Sequence, residues 1–223
     1  KMTEHGFECI DCSQPTESKT LELNDQFGFK NFNELDITGI FNLVIRQGDV
    51  YSVEMQGPES EKKRFRLDQS GEQLEIDYRS RNKTFWLKNM DDEPLKITIA
   101  MPHLTKLKIK GAGKVRIEGF REEAIDIALL GAMTCDANVY AHNLQLDLSG
   151  PMVFELDGDG DFLEAEVNKV AQLKASGYQV RHAVINAREM GRARVNATER
   201  VEIDTDFTGS VKYQGHPEVI RKD

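Results

Sequence analysis

The chain has little of what most enzyme, membrane and disulfide-scaffold classes require. Its 223 residues include three cysteines, six prolines and one tryptophan. Three cysteines cannot build a dense disulfide framework. Cys9 and Cys12, with only His5 near them, fall short of the four ligands of a structural zinc site. A redox Cys-x-x-Cys sits at the start of a helix that follows a strand, whereas Cys9-Ile10-Asp11-Cys12 lies in a polar stretch without helix signals. A local disulfide or an unstructured leader is the reading there. No apolar run is long enough to span a bilayer as a helix. Excess positive charge is missing as well. The net charge of −9 disfavours nucleic acid, whose phosphates require a basic face, and also disfavours adsorption on anionic lipid. Dinucleotide and phosphate-binding loops and the Gly-x-Ser-x-Gly elbow do not occur, and no cofactor is implied. Helix signals are scarce, with one short turn expected within 58–66. Because the chain begins at Lys1, a secretion signal or lipid-anchor segment is expected to have been removed.

What is present is a weak repeat of about twenty residues over 107–213. A turn slot holds Gly111, Gly131, Gly150, Lys169, Gly191 and Gly209, at spacings of 20, 19, 19, 22 and 18. Two positions before it stand Ile109, Leu129, Leu148, Val167, Glu189 and Phe207. Four positions after it come Val115, Cys135, Phe154, Leu173, Val195 and Tyr213. A fixed period of short alternating strands means stacked rungs. Period-two alternation buries one face and wets the other. Cys135 is therefore expected in the core as a small hydrophobe. Arg116, Asp136, Glu155, Lys174, Asn196 and Gln214 are expected to face outward in one column. Lys169 breaks the slot, and Asn168 is the neighbour suited to a left-handed conformation. Glu189, in an apolar column beside the longest spacing, predicts a bulge or insertion.

Organisation follows from this pattern. Residues 1–20 are polar and aperiodic, a leader. Residues 21–103 form an N-terminal β region, with an outlying first rung around Gly39. Strands around Val53, Ile76 and Ile97 are expected there as an antiparallel hairpin sheet. Residues 104–220 form the β-solenoid, expected to be one continuous domain with the preceding region. The fold class is thus all-β, a parallel solenoid of about six or more rungs preceded by β-hairpins.

Several segments together resemble a known family. These are Phe32-Asn33-Glu34-Leu35-Asp36-Ile37-Thr38-Gly39 with Val44-Ile45-Arg46-Gln47-Gly48, and Leu104-Thr105-Lys106-Leu107 leading into Lys110-Gly111-Ala112-Gly113. They also include Leu148-Ser149-Gly150 and the closing stretch from Phe207 to Pro217. Over about 27–220 the chain resembles the putative auto-transporter adhesin, head GIN domain family. The resemblance implies a right-handed, pectin-lyase-like β-helix in a secreted or envelope-attached protein common in Bacteroides-like bacteria. It further implies a role in adhesion, without established catalytic residues.

Three constellations carry candidate chemistry. Asp157-Gly158-Asp159-Gly160-Asp161 alternates carboxylates like a calcium loop, yet Phe162 and Asn168 stand where that loop needs Gly and a bidentate Glu. An acidic turn between rungs is the expectation, with Asp157, Asp159 and Asp161 as weak metal candidates. Asp136, Glu155 and Lys174 would stack on adjacent rungs, a cluster conceivable for a polysaccharide lyase or hydrolase, but a solvated mixed-sign column is the expectation. Phe85 and Trp86, flanked by Arg81 and Lys83 in the loop 79–93, are the candidate ligand-binding residues, suited to stacking on a sugar or covering a partner, although folding back as a lid on the hairpin sheet is the favoured reading of the pair. His103, His142, His182 and His216 show no ligand or triad spacing. The function expected is a non-enzymatic extracytoplasmic module for a cell-surface glycan or protein ligand. Self-association through an open solenoid end is also expected. A carbohydrate-active β-helix is the alternative, and a calcium-binding surface protein is a third reading.

Overall fold

In the computed structural model, residues 21–22, 28–78 and 94–222 are described. The strands are β1 (Leu21–Glu22), β2 (Glu34–Gln47), β3 (Ser52–Gln56), β4 (Phe65–Ser70), β5 (Gln73–Tyr78) and β6 (Lys96–Met101). They continue as β7 (Lys106–Ser149), β8 (Met152–Asn168), β9 (Gln172–Ala187), β10 (Arg192–Thr205), β11 (Ser210–Gln214) and β12 (Glu218–Lys222). One helical turn, α1 (Glu59–Lys62), falls in the segment expected to supply it.

The sheet path runs β1-β3-β6-β2-β7-β8-β9-β10-β11, and from β2 onward every neighbour on it is parallel. This is the stack that the twenty-residue period predicts. Leu43 pairs with Val115, Cys135 with Phe154, Phe154 with Leu173, and Leu173 with Ala193. All but Val115 and Ala193, at 3% each, are at most 1% exposed. Cys135 is core, and burial pushes its thiol pKa far up, which leaves it an inert hydrophobe. Within β8 the buried residues run Met152, Phe154, Leu156 and then Leu163, Ala165, Val167. The change of parity after Leu156 marks a mid-rung corner, because a strand can change its inward set only by bending.

The turn slots explain the irregular spacing. Lys169 and Val170 both have positive φ (54° and 71°), as do Glu189 and Met190 (52° and 67°). Ala171 N donates to Asn168 O, and Gly191 N donates to Arg188 O, closing two tight turns. In the ladder Val167 pairs with Ala187, not with Glu189. Glu189 and Phe207 therefore occupy the turn slot itself, and the spacing after Lys169 becomes 20 and then 18. The expected irregularity lies inside the flanking strands and not at the turn: the ladder shifts register between Glu155 and Asp157 on β8, and between Val195 and Asn196 and between Ala197 and Arg200 on β10, where Val195 pairs with Ala175 but Asn196 with Gln179. Lys169, not Asn168, adopts the left-handed conformation. Gly191 lies two residues past the slot, where a Cβ would strike Val167 O. It is required for close approach between rungs, not for its φ.

The N-terminal region differs from a simple hairpin sheet. β5 and β6 both run parallel to β2, pairing with its two halves. Together they form a first rung before β2. The antiparallel partners are β4 on β5, β3 on β6 and β1 on β3. The antiparallel hairpin pairing expected around Val53, Ile76 and Ile97 is present in these partners. The additional parallel pairing of β5 and β6 with β2 was not legible, because alternation identifies a half-buried strand but carries no direction of pairing. At the other end β11 and β12 both pair with β10 and, among the described residues, with no further strand. Phe207 there is fully exposed. No helix among the described residues is long and apolar enough to cross a membrane.

Candidate functional site

The interior columns are filled with buried side chains, so the polar side chains stand on the outer surface. On one face, outward positions form two adjacent columns. In the first, Thr134, Val153, Gln172, Arg192 and Ser210 stand in register on five consecutive strands. In the second, Asp136, Glu155, Lys174, Arg194 and Lys212 do the same. The sequence-derived column placed Asn196 and Gln214 last. The two-residue slip at the turn slot replaces them with Arg194 and Lys212, so Arg192, Arg194 and Lys212 were missed. Counting from Lys169, Glu189 and Phe207, and not from the following glycines, recovers them.

Glu155 Oε1 accepts from Lys174 Nζ at 2.6 Å. Arg192, Arg194 and Lys212 are exposed, and among the described residues they make no ion pair. Together with Gln172, Thr208 and Ser210 they line a cleft of about 450 Å³ that contains no carboxylate. Through Gln172 this cleft meets a shallower, largely apolar groove of about 600 Å³, lined by Ala132, Thr134, Pro151, Val153 and Val170.

A second cluster lies near the mid-rung corner. His142 Nδ1 is 2.6 Å from Asp161 Oδ2, and Arg181 donates to Glu199 at 2.8 Å. His182 Nε2 is 3.1 Å from Glu199. The hydrogen bond to Asp161 raises His142 above the ordinary imidazole value, and the His142 contact lowers Asp161. All these groups are largely solvated, so the cluster is a surface ion network with modest energetic weight. His103 pairs with Glu122, and His216 is exposed.

The 157–161 motif is not a turn between rungs. It lies inside β8 and pairs with β7, Asp157 opposite Asn138 and Asp159 opposite Tyr140. Its glycines serve packing: a Cβ on Gly160 would collide with the hydroxyl of Tyr178. That fully buried side chain donates to Ala141 O at 3.3 Å. Asp157, Asp159 and Asp161 alternate along one strand, about 6.6 Å apart, too far to share one ion in the manner of a folded loop. Among the described residues no group of three His, Cys, Asp or Glu is gathered to hold a metal. Phe85, Trp86, Arg81 and Lys83, like Cys9 and Cys12, lie outside the described residues.

At the last turn, Asp206 accepts from the backbone N–H groups of Glu189, Thr208 and Gly209 at 2.7–2.9 Å and from the Thr208 hydroxyl. These donors, the Glu189 N–H foremost, hold its pKa down to about 2. Asp206 thereby ties the terminal turn to the one beneath it.

The structure is thus a parallel β-solenoid with open grooves along its flank. Residues 31–217 match the model of the putative auto-transporter adhesin, head GIN domain family, and the chain belongs to that family. Membership makes it an extracytoplasmic, adhesin-type β-solenoid of the kind found in Bacteroides and its relatives. The structure is similar to that of a putative adhesin from Bacteroides fragilis, with a TM-score of 0.79 at 20% identity, covering 93% of this chain and 94% of that one. It is also similar to a putative lipid binding protein from Parabacteroides distasonis (TM-score 0.65, 20% identity, 92% and 93% covered). A putative adhesin from the same species is similar too (TM-score 0.63, 16% identity, 92% of each chain covered). At such identities the likeness concerns the fold. No functionally curated protein matches the chain.

Proposed function

We propose that this chain is a non-enzymatic surface module that holds a glycan or protein ligand against the flank of its solenoid. The observation that carries this reading is the in-register outward columns, fixed on a scaffold whose interior is filled along every rung. Parallel ladders, on both sides of every strand but the terminal β11, hold those side chains at a spacing of about 4.8 Å, which is preorganisation for an extended ligand. The periplasm, envelope or cell surface is the location this role requires, with lipid anchoring as the tether. The open edge of β11 and β12 is the surface through which copies would associate.

Asp136 beside Glu155 is the arrangement that favours a lyase or hydrolase instead. Against it, the Lys174 ammonium neutralises Glu155, whereas a catalytic pair needs one carboxylate destabilised and protonated. Immobilised protein incubated with mucin and with a panel of uronic-acid polysaccharides separates the two. The proposal expects retention of at least one polymer with its chain length unchanged. Unsaturated uronide product or new reducing ends would contradict it.

A further inference from the structure

We propose that the cleft formed by Lys174, Arg192, Arg194 and Lys212 is a binding site for an acidic glycan, a saccharide chain bearing carboxylate or sulfate groups. This rests on the surface-recognition reading above and names its ligand class. Lys174, Arg194 and Lys212 stand directly opposite one another on three consecutive parallel strands. Like charges in that relation destabilise a sheet, and only Lys174 is offset, by Glu155. Arg192 adds a fourth cation two residues along β10 on the same face. In a chain of net charge −9, a carboxylate-free cleft with three unpaired cations is a departure from local stability of the kind found at functional sites.

The details favour a saccharide chain over a compact anion. Arginine offers a planar fork matched to carboxylate and sulfate oxygens. Gln172 and Ser210 supply neutral hydrogen-bonding groups beside the cations. The column from Thr134 to Ser210 crosses five strands, a length of about 19 Å, several sugar rings long. Its upstream part is neutral, and Asp136 and Glu155 border it there. An acidic chain would thus seat its anionic groups at β9–β11 and run its neutral part, or leave the surface, toward β8.

The test is binding of fluorescent oligogalacturonate and of chondroitin sulfate, each against neutral dextran, followed by anisotropy at low and physiological salt. The variant Arg192→Gln/Arg194→Gln/Lys212→Gln is compared with Lys63→Gln/Lys106→Gln/Lys110→Gln, which removes the same charge elsewhere. We expect saturable binding of at least one acidic chain, little for dextran, at least tenfold weakening in the cleft variant, and less than twofold change in the control. Thermal midpoints report folding, and the cleft variant should be no less stable than wild type because it relieves repulsion. Equal weakening by both variants overturns the site. So does equal binding of dextran, or binding of inorganic polyphosphate and anionic vesicles with no binding of acidic oligosaccharide. If mucin is retained equally by wild type and cleft variant, the site fails while the adhesive reading stands. If wild type retains no polymer at all, the adhesive reading fails with it.

Discussion

Replacing Phe154 with alanine probes the stack at its most constrained point. The ring is fully buried, in register between Cys135 on one side and Leu173 on the other. Truncation of a buried phenylalanine costs about 3–5 kcal/mol, combining lost transfer energy with the cavity left behind. The backbone here is laddered on both sides, so neighbouring rungs cannot close inward, and Cys135 is too short to fill the space. The expected loss lies in the upper part of that range, about 4–5 kcal/mol. For a chain of this size that corresponds to a fall in thermal midpoint of roughly 8–20 °C. Urea titration followed by far-ultraviolet circular dichroism gives the free energy. Pulse proteolysis gives a second probe, needed because stacked rungs can unfold in stages. A loss below about 1 kcal/mol, the centre of the distribution for ordinary point mutations, would refute the inward placement of Phe154 and with it the column.

Other consequences follow from the turns and the ion networks. Lys169→Asn/Val170→Gly places the preferred pair in two successive left-handed positions, and it should raise stability by about 1 kcal/mol in urea titration, since a β-branched residue at positive φ is strained; a loss would contradict the turn geometry. Asp206 has a folded pKa near 2, below the unfolded value of about 3.9. Its contribution is therefore complete above about pH 4 and disappears as pH falls through 2. Thermal midpoints of wild type and Asp206→Ala should differ at pH 5 and converge toward pH 2, and a constant gap would contradict the linkage. His142 should titrate above the usual imidazole range by proton NMR, and Asp161→Asn should bring it back. Because the folded value is raised, the stabilising contact is present below about pH 6.5 and fades as pH rises through the folded pKa. An unshifted resonance would rule out the contact.

Much of the fold was legible because it is written in periodicity. The columns through Cys135, Phe154 and Leu173 sit where alternation put them, and Gly111, Gly131 and Gly150 mark the true slot. Legibility ended where glycine ceased to mark the turn. Lys169 and Glu189 adopt left-handed backbone without a glycine's help, while Gly191 and Gly209 are held by close approach to the rung below. Anchoring the repeat on those glycines displaced the last two rungs by two residues and hid Arg194 and Lys212 from the column of Lys174. The antiparallel hairpins around Ile76 and Ile97 were legible, but the parallel pairing of those two strands with β2 was hidden, because parallel and antiparallel strands share one alternation. The acidic 157–161 motif looked like a loop since Asp-Gly pairs favour turns. Gly160 instead makes room for Tyr178 of the neighbouring rung and Gly158 for the Val139 carbonyl, long-range demands that a local pattern cannot display.

The central claim is that the flank of the solenoid binds an extended acidic chain and leaves it intact. Calorimetric titration of the protein with a defined oligogalacturonate, followed by mass analysis of the recovered sugar, tests both halves at once. The account predicts saturable, salt-sensitive heat and an oligomer recovered at its original length. No saturable heat at millimolar sugar, or recovery of shortened or unsaturated fragments, would contradict it.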